Sequence, residues 1–172
     1  MSGESLGKCF SKTFLSRRDN PAITFLRDGA VETELSYFEL ERDKNRMANV
    51  FQSLGVEKGD RVILLIPKSL IFVVAHLALQ KIGAIAVPLN PGFKKSELDY
   101  LFHDAAAKII LSEPGKESLI KEIDPGLTNL IVDTRKPYQD KSYDKDNLFP
   151  KSVVPTLLDL QPISNWLIIW LG

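Results

Sequence analysis

Residues 61–87, RVILLIPKSLIFVVAHLALQKIGAIAV, decide the fold of this chain. The segment opens with a near-continuous aliphatic run that Pro67 ends, and such a run is typical of a parallel strand covered on both faces. Residues 69–82 are apolar almost all round, which predicts a buried helix ending at Gly83. The next run, AIAV at 84–87, predicts an inner strand. Strand, helix and strand in this order form a βαβ crossover of a parallel sheet.

The same alternation continues downstream. The pattern predicts a helix over about 94–106, a strand at 108–112, a weaker helix near 115–123 and a strand at 129–133. The expected fold class is therefore α/β, with a partial doubly wound, mostly parallel sheet and helices on both faces. Residues 134–151 are rich in Lys, Asp, Tyr and Pro, and we interpret them as a solvated loop or linker.

Upstream of the βαβ unit, residues 21–37 predict a small antiparallel hairpin, because the Asp-Gly pair at 28–29 favours positive φ angles. Ser36 stands where a helix N-cap belongs, and Glu39 follows three residues later as in a capping box. Gly55 is placed to end that helix in the left-handed conformation. The apolar residues between these two signals recur at helical spacing: Leu40, Met47, Val50, Phe51 and Leu54.

Composition and charge exclude several classes of function. The chain has 172 residues, 44% hydrophobic and 26% charged, which is enough for one globular core. Lys+Arg and Asp+Glu both total 22, so no domain-wide basic field exists to bind nucleic acid. Cys9 is the single cysteine and cannot form an internal disulfide or a cysteine metal cluster, which favours a reduced, intracellular compartment.

The N-terminal residues and the apolar runs predict no membrane segment. Residues 1–18 lack the long apolar run of a secretory signal and contain Glu4, so we interpret them as part of a lead-in helix and favour a cytoplasmic over a mitochondrial location. The longest apolar stretch, at 70–79, is about half the length that a bilayer requires. We therefore expect no transmembrane span.

No stretch matches the spacing of a common catalytic or phosphate-binding motif. The sequence contains no GxxxxGK[ST], no GxGxxG and no GxSxG. Gly55 and Gly59, with Asp60 after them, are interpreted as a turn between helix and strand. In KIGAIAVPLNPGF (81–93) the prolines end the strand, and Asn90 is interpreted as a turn residue that bonds local backbone rather than a ligand.

Three side-chain groups have both a structural and a functional interpretation. His76 is expected to be a hydrogen-bonded core residue rather than a ligand. His103 follows Asp99 at i, i+4, which fits either an oriented base or, as we favour, a solvated surface pair. Trp166 and Trp170 fit either a stacking platform or, as we favour, a buried apolar strand.

Three ordered motifs resemble one enzyme family. LSYFEL (35–40), NRMANVFQSLGVEKGDRV (45–62) and ALQKIGAIAVPLNP (78–91) resemble the start of the AMP-forming acyl-CoA synthetases and adenylate-forming ligases. SELDYLFHDAAAKIIL (96–111) resembles the helix and strand that follow in that family. The resemblance covers residues from about 21 to 135.

The resemblance implies a two-step ligase that uses ATP, Mg²⁺ and coenzyme A to activate a carboxylic acid, a fatty acid first among the candidates. A carboxylate attacks the α-phosphate of ATP, and the thiol of coenzyme A then takes the acyl group. The matched motifs include none of the family's ATP or coenzyme A contacts. No residue from 1 to 172 is therefore assigned a catalytic, cofactor-binding or metal-binding role.

The resemblance ends where the family would enter a Ser/Thr/Gly-rich phosphate loop, because this chain instead reads WLIIWLG at 166–172 after DLQPISN. We expect a truncated family member that is inactive alone, or else a non-catalytic module that associates with a full-length synthetase or with itself through this apolar tail. The expected organisation is a lead-in helix at 1–20, a partial AMP-binding domain at 21–135, and a linker with a divergent tail at 136–172.

Overall fold

The computed structural model describes residues 12–135 and Tyr138. Over these residues a short helical segment at 12–16 precedes a two-stranded antiparallel sheet and a four-stranded parallel sheet with its helices. The elements are β1 (Pro21–Arg27), β2 (Ala30–Ser36), α1 (Tyr37–Ser53), β3 (Arg61–Leu65), α2 (Leu70–Ile82), β4 (Ile85–Pro88), α3 (Lys95–Ala105), β5 (Ile109–Ser112), α4 (Glu117–Ile123) and β6 (Thr128–Ile131).

The hairpin and the start of α1 form as their sequence signals predict. Asp28 and Gly29 have φ angles of 51° and 79°, and they reverse the chain between β1 and β2. At the start of α1, Ser36 Oγ accepts a hydrogen bond from Glu39 N at 3.2 Å, and Glu39 Oε2 accepts one from Ser36 N at 2.9 Å. Gly55 follows the helix with φ 82°. The predicted hairpin, capping box and left-handed end are confirmed.

The four parallel strands lie in the order β4-β3-β5-β6. After β3 the chain forms β4 on one side of β3, and it then crosses over to form β5 on the other side of β3. The expectation that 84–87 form an inner strand is not met among the described strands, where β4 lies at one edge of the sheet. Ile85 is accordingly 46% exposed.

The sheet separates two hydrophobic clusters, which confirms helices on both faces. Val62 and Leu64 of β3 face a larger cluster with α1, α2 and the hairpin. Ile63 and Leu65 face a smaller cluster with α3 and α4. Because successive side chains of a strand point to opposite faces, both clusters take their apolar residues from the same short runs.

Helix α2 is less deeply buried than its composition predicts. Its side toward the sheet and α1 is buried, whereas Phe72, Val73, His76 and Leu77 are half-buried. The described residues cover only one side of this helix fully. In the part of the chain that the structure describes, no helix combines the length and the apolar character needed to cross a membrane.

The start of the expected solvated linker is also partly wrong. Thr134 is buried, and Tyr138 is 8% exposed and packs in the larger cluster. An aromatic ring and a hydroxyl that reach buried partners can anchor a segment whose composition is otherwise polar. The remaining residues expected to form the linker and tail, with Trp166 and Trp170, lie outside the described residues.

Candidate functional site

The sheet order indicates where a ligand would bind. In open parallel sheets, ligands lie beyond the carboxyl ends of the strands, at the point where the strand order reverses. Here the reversal falls between β3 and β5, because β4 lies on the far side of β3. We call the loops that follow the four strands, residues 66–69, 89–94, 113–116 and 132–135, the carboxyl edge.

The loop after β3 leads directly into a capped helix. Ser69 is buried, and its Oγ accepts a hydrogen bond from Phe72 N at 3.2 Å. This contact satisfies one of the free amides in the first turn of α2. Lys68, next to it, is exposed.

Side chains of β5, β6 and the loops that follow these strands bond to each other. Ser112 is fully buried and its Oγ donates to Asn129 Oδ1 at 2.8 Å. Thr134 Oγ1 donates to Glu113 Oε1, and the carbonyl of Thr134 accepts a bond from the Arg27 guanidinium at 3.4 Å. The polar groups on this side of the carboxyl edge are thus used to join β5, β6 and the hairpin.

The loop after β4 confirms the interpretation of Asn90 as a turn residue. Asn90 Oδ1 accepts a hydrogen bond from Gly92 N at 2.9 Å, and its carbonyl accepts one from Phe93 N at 3.1 Å. Lys116 Nζ donates to the carbonyl of Pro91 at 3.0 Å and so ties this loop to the one after β5.

The glycine turn at 55–60 lies at the opposite, amino end of the sheet. Asp60 Oδ2 accepts hydrogen bonds from Glu57 N and from Lys108 Nζ, both at 2.8 Å. The bond from Lys108, followed by the one from the Glu57 amide, lowers the pKa of Asp60 below its ordinary value. This geometry confirms the structural interpretation of the turn, since its charged groups join the segments that precede β3 and β5.

His76 only partly has the environment that the sequence predicts. His76 is half-buried, with Nε2 3.2 Å from Gln80 Nε2, and its ring stacks on Phe72 with centroids 6.4 Å apart. Its Nδ1 is buried and has no hydrogen-bond partner among the described residues. The expected hydrogen-bonded core histidine is therefore confirmed only in part, since one ring nitrogen has a partner and the ring is half-buried.

His103 lies on the surface, as expected. Its Nδ1 is 2.7 Å from the backbone carbonyl of Asp99 and 3.9 Å from the carboxylate, and both side chains are more than half exposed. Because water surrounds both side chains, the Asp99 carboxylate does little to fix the orientation of the imidazole. The structure therefore supports the surface-pair interpretation.

Sequence reasoning missed a buried polar group on α1. Asp43 is 7% exposed, and its Oδ1 and Oδ2 accept hydrogen bonds from Arg42 Nε at 2.9 Å and from Tyr138 Oη at 2.8 Å. Burial lowers the pKa of Arg42, but the hydrogen bond and charge of Asp43 outweigh it, so that pKa is raised. A signal was available, since Asp43 lies three residues after Leu40 and four before Met47, on the apolar face of α1.

Comparison with known proteins gives a family match over most of the chain. The family model described as AMP-binding enzyme matches residues 10–164. Over 110 residues the chain is 29% identical to the long-chain-fatty-acid–CoA ligase FadD13 of Mycobacterium tuberculosis. That match covers 62% of this chain and 22% of the relative, so the chain spans about a fifth of the length of the curated relatives that it first matches.

Two solved structures have the same arrangement of elements. MatB from Rhodopseudomonas palustris, solved with ATP bound, matches with a TM-score of 0.62 and 32% identity, over 73% of this chain and 25% of MatB. The N-terminal domain of FACL13 from Mycobacterium tuberculosis matches with a TM-score of 0.64 and 22% identity, over 77% of this chain and 34% of that one. The second match concerns the fold alone, and it falls on an N-terminal domain.

Proposed function

The chain belongs to the AMP-binding enzyme family, and from this premise we propose that it forms the N-terminal part of a ligase that joins a carboxylic acid to coenzyme A. In the proposed reaction a carboxylate oxygen attacks the α-phosphate of ATP, which forms the acyl-adenylate and releases pyrophosphate. The sulfur of coenzyme A then attacks the acyl carbon, and AMP leaves with the bonding electron pair. The thiol proton passes to a base.

The observation that most directly supports this proposal is the match to MatB, whose crystals contained ATP. That match has 32% identity and covers 73% of this chain. The segment at 35–40 joins β2 to α1, and the segment at 78–91 joins α2 to β4.

The described residues contribute a scaffold to this reaction. Ser112 at the end of β5, and Glu113 and Thr134 at the carboxyl edge, bond to protein partners, and the side chain of Asn90 closes a turn. Within residues 12–135 and Tyr138, no three His, Cys, Asp or Glu side chains lie together in a group that could hold a metal ion. These residues do not by themselves fit Mg²⁺, so no step is assigned to that ion.

We propose further that the 172 residues do not catalyse the reaction alone. No segment among them resembles the family's Ser/Thr/Gly-rich phosphate loop, and their match covers 25% of MatB. The charge on the α-phosphate and on the departing pyrophosphate requires surrounding amides and cations, and the motifs that this chain shares with the family do not include the family's ATP contacts. A fatty acid is the proposed substrate, since the relative FadD13 is a long-chain-fatty-acid–CoA ligase. The proposed location is the cytoplasm.

Two preparations test the proposal. The purified chain, with ATP, Mg²⁺ and a panel of fatty and aromatic acids, should release no pyrophosphate, and turnover would contradict the proposed inactivity. A chimera of MatB with residues 12–135 in place of its matching segment should fold and release pyrophosphate with the acid that MatB uses. A matched chimera with Leu64→Asp, which buries a charge in the central strand, should be insoluble or inactive. A folded but inactive unsubstituted chimera would contradict the role as the N-terminal part of such a ligase.

A second candidate is a non-catalytic module that associates with a longer synthetase or with itself. Its support is the exposure of Ile85 on β4 and Ile131 on β6, which lie at the two edges of the described sheet. Edge strands with exposed apolar residues pair readily with other chains. Sedimentation across a range of concentrations, with co-purification from a mixture containing full-length MatB, tests it; a monomer at every concentration that does not retain MatB would contradict it.

A further inference from the structure

Helix α2 has one apolar side that the described residues cover only in part. Phe72, Val73, His76 and Leu77 lie along this side at helical spacing, and each is half-buried. We call these four residues the open side of α2. Phe72 and Leu77 border the larger hydrophobic cluster, whereas Val73 belongs to neither described cluster. A contiguous apolar side of this kind is a stronger sign of a packing partner than one exposed isoleucine on each sheet edge.

The open side also contains a buried hydrogen-bond donor without an acceptor. Gln80 Nε2, which can only donate, lies 3.2 Å from His76 Nε2, so this ring nitrogen accepts and the proton of the neutral ring is on Nδ1. His76 Nδ1 is buried and has no partner among residues 12–135 and Tyr138. A buried N–H group that stays unpaired costs stability. We therefore expect the segment that covers the open side to bring an oxygen acceptor as well as apolar side chains.

The sequence after Tyr138 contains a segment that meets both requirements. Residues 166–171, WLIIWL, are all apolar, and their backbone carbonyls are acceptors. The family model ends at residue 164, so this segment lies beyond the residues that it matches. Tyr138 itself packs in the larger hydrophobic cluster, which the open side borders.

The chain between Tyr138 and the apolar segment is long enough to reach α2. Residues 139–165 span up to about 90 Å when extended, at roughly 3.3 Å per residue. Helix α2, with 13 residues, is about 20 Å long. Every part of the open side is therefore within reach of residues 166–171 of the same chain.

We propose that residues 166–171 pack on the open side of α2 within the same chain, and that a backbone carbonyl of this segment accepts the proton on His76 Nδ1. The contact removes apolar surface of the segment and of the helix from water, which is favourable. Because the segment is tethered to α2, its local concentration does not fall on dilution, which favours this contact over one with a second copy. The proposal does not depend on the ligase activity.

Tryptophan fluorescence of the full chain tests the proposal. Trp166 and Trp170 are the two tryptophans of the chain, so its tryptophan emission reports on this segment alone. At high dilution the emission should be blue-shifted, and acrylamide should quench it several-fold less, than in the same chain unfolded in urea. Val73→Asp, which places a charge on the open side, should shift the emission to longer wavelength and restore most of the quenching. Because Val73 packs in neither described cluster, the fold should persist, and circular dichroism checks this.

Ile85→Asp and Ile131→Asp are the matched controls, because each places the same charge at an exposed isoleucine on a sheet edge. Both should keep the emission of the native chain. A shift in an edge variant but not in Val73→Asp would indicate that the segment pairs with the sheet, which would overturn the proposal. Water-exposed emission from the native chain, or native emission from Val73→Asp, would overturn it too. A native chain whose emission shifts on dilution would indicate packing on a second copy, with the same consequence.

Disulfide formation gives a second readout that adds no charge to the open side. In a Cys9→Ser background, Val73→Cys is combined with either Leu167→Cys or Ile168→Cys, two neighbouring positions whose side chains point in different directions. At least one pair should form an intramolecular disulfide under mild oxidation, which requires Cβ atoms about 3.5–4.5 Å apart. Tyr100→Cys on α3 replaces Val73→Cys in the control and should give little cross-linking. Cross-links only between chains, or equal yields in the control, would overturn the proposal.

Discussion

Gly83 shows at the scale of one residue why the βαβ unit requires glycine where α2 ends. Its φ is 74°, and its amide bonds back to the carbonyl of Gln80 at 3.2 Å. A Cβ at this position would lie 2.9 Å from Lys58 Cγ in the turn before β3. Both the backbone conformation and the close approach of the neighbouring turn therefore exclude a side chain.

Gly83→Ala should lower the free energy of unfolding by about 1–2 kcal/mol, which is the cost of a left-handed conformation for a residue with a Cβ. The midpoint of urea unfolding should fall with no change in its slope. Gly126→Ala is the control, because its Cβ would meet Asp124 Oδ1 at an ordinary 3.5 Å. Equal midpoints for the two variants would contradict the prediction.

The contacts of Asp60 predict a pH dependence. Because the folded pKa is lowered, its contribution to stability is present above its unfolded pKa of about 4 and is lost as the pH falls through the folded pKa. The stability difference between the native chain and Asp60→Asn should thus be largest near neutral pH and should shrink below pH 4. Urea titrations of both chains at several pH values measure this difference, and a difference that stays constant as the pH falls would contradict the prediction.

At the scale of elements, both ends of α1 are defined by signals local in the sequence rather than by tertiary contacts. Its start depends on the reciprocal bonds of Ser36 and Glu39, and its end on Gly55. The edge position of β4 has no such local signal. A strand that is central and a strand at an edge are both short aliphatic runs in sequence, and the neighbours that distinguish them are far away in the chain.

Ser36→Ala should destabilise the chain by about 1 kcal/mol, because the first turn of α1 loses the acceptor for the Glu39 amide. Thermal or urea unfolding measures this loss. Ser118→Ala, an exposed serine inside α4 with better helix propensity after substitution, should be neutral or slightly stabilising. A Ser36 variant as stable as the native chain would show that the capping box contributes nothing here.

At the scale of the whole molecule, both faces of the sheet are covered while its two edges keep exposed apolar residues. The larger cluster joins the hairpin, α1 and α2 to the sheet, and the smaller cluster joins α3 and α4 to it. Such a layered arrangement buries the strands but leaves the backbone of β4 and β6 open along one side among the described residues.

If the chain associates through its sheet edges as proposed, Ile85→Lys combined with Ile131→Lys should reduce that self-association. A charge on each edge strand disfavours pairing with a second sheet. Because both side chains are more than 40% exposed, the fold should tolerate the two lysines. Analytical ultracentrifugation over a concentration series gives the measurement. Tyr100→Lys adds a charge at an exposed position away from the edges and should leave association unchanged; the same decrease in both variants would contradict an edge-specific effect.

The sequence by itself determined the elements of this protein and its family. The aliphatic run of β3, the caps of α1 and the Asp-Gly turn act over a few residues, so their physics is contained in the local pattern. Tertiary structure alone decided that β4 lies at an edge of the described sheet, that the described residues leave one side of α2 only half-buried, and that Tyr138 bonds to Asp43. Each of these depends on groups that are distant in sequence and meet only after the sheet is ordered, and a local pattern does not encode which distant partner completes a buried hydrogen bond.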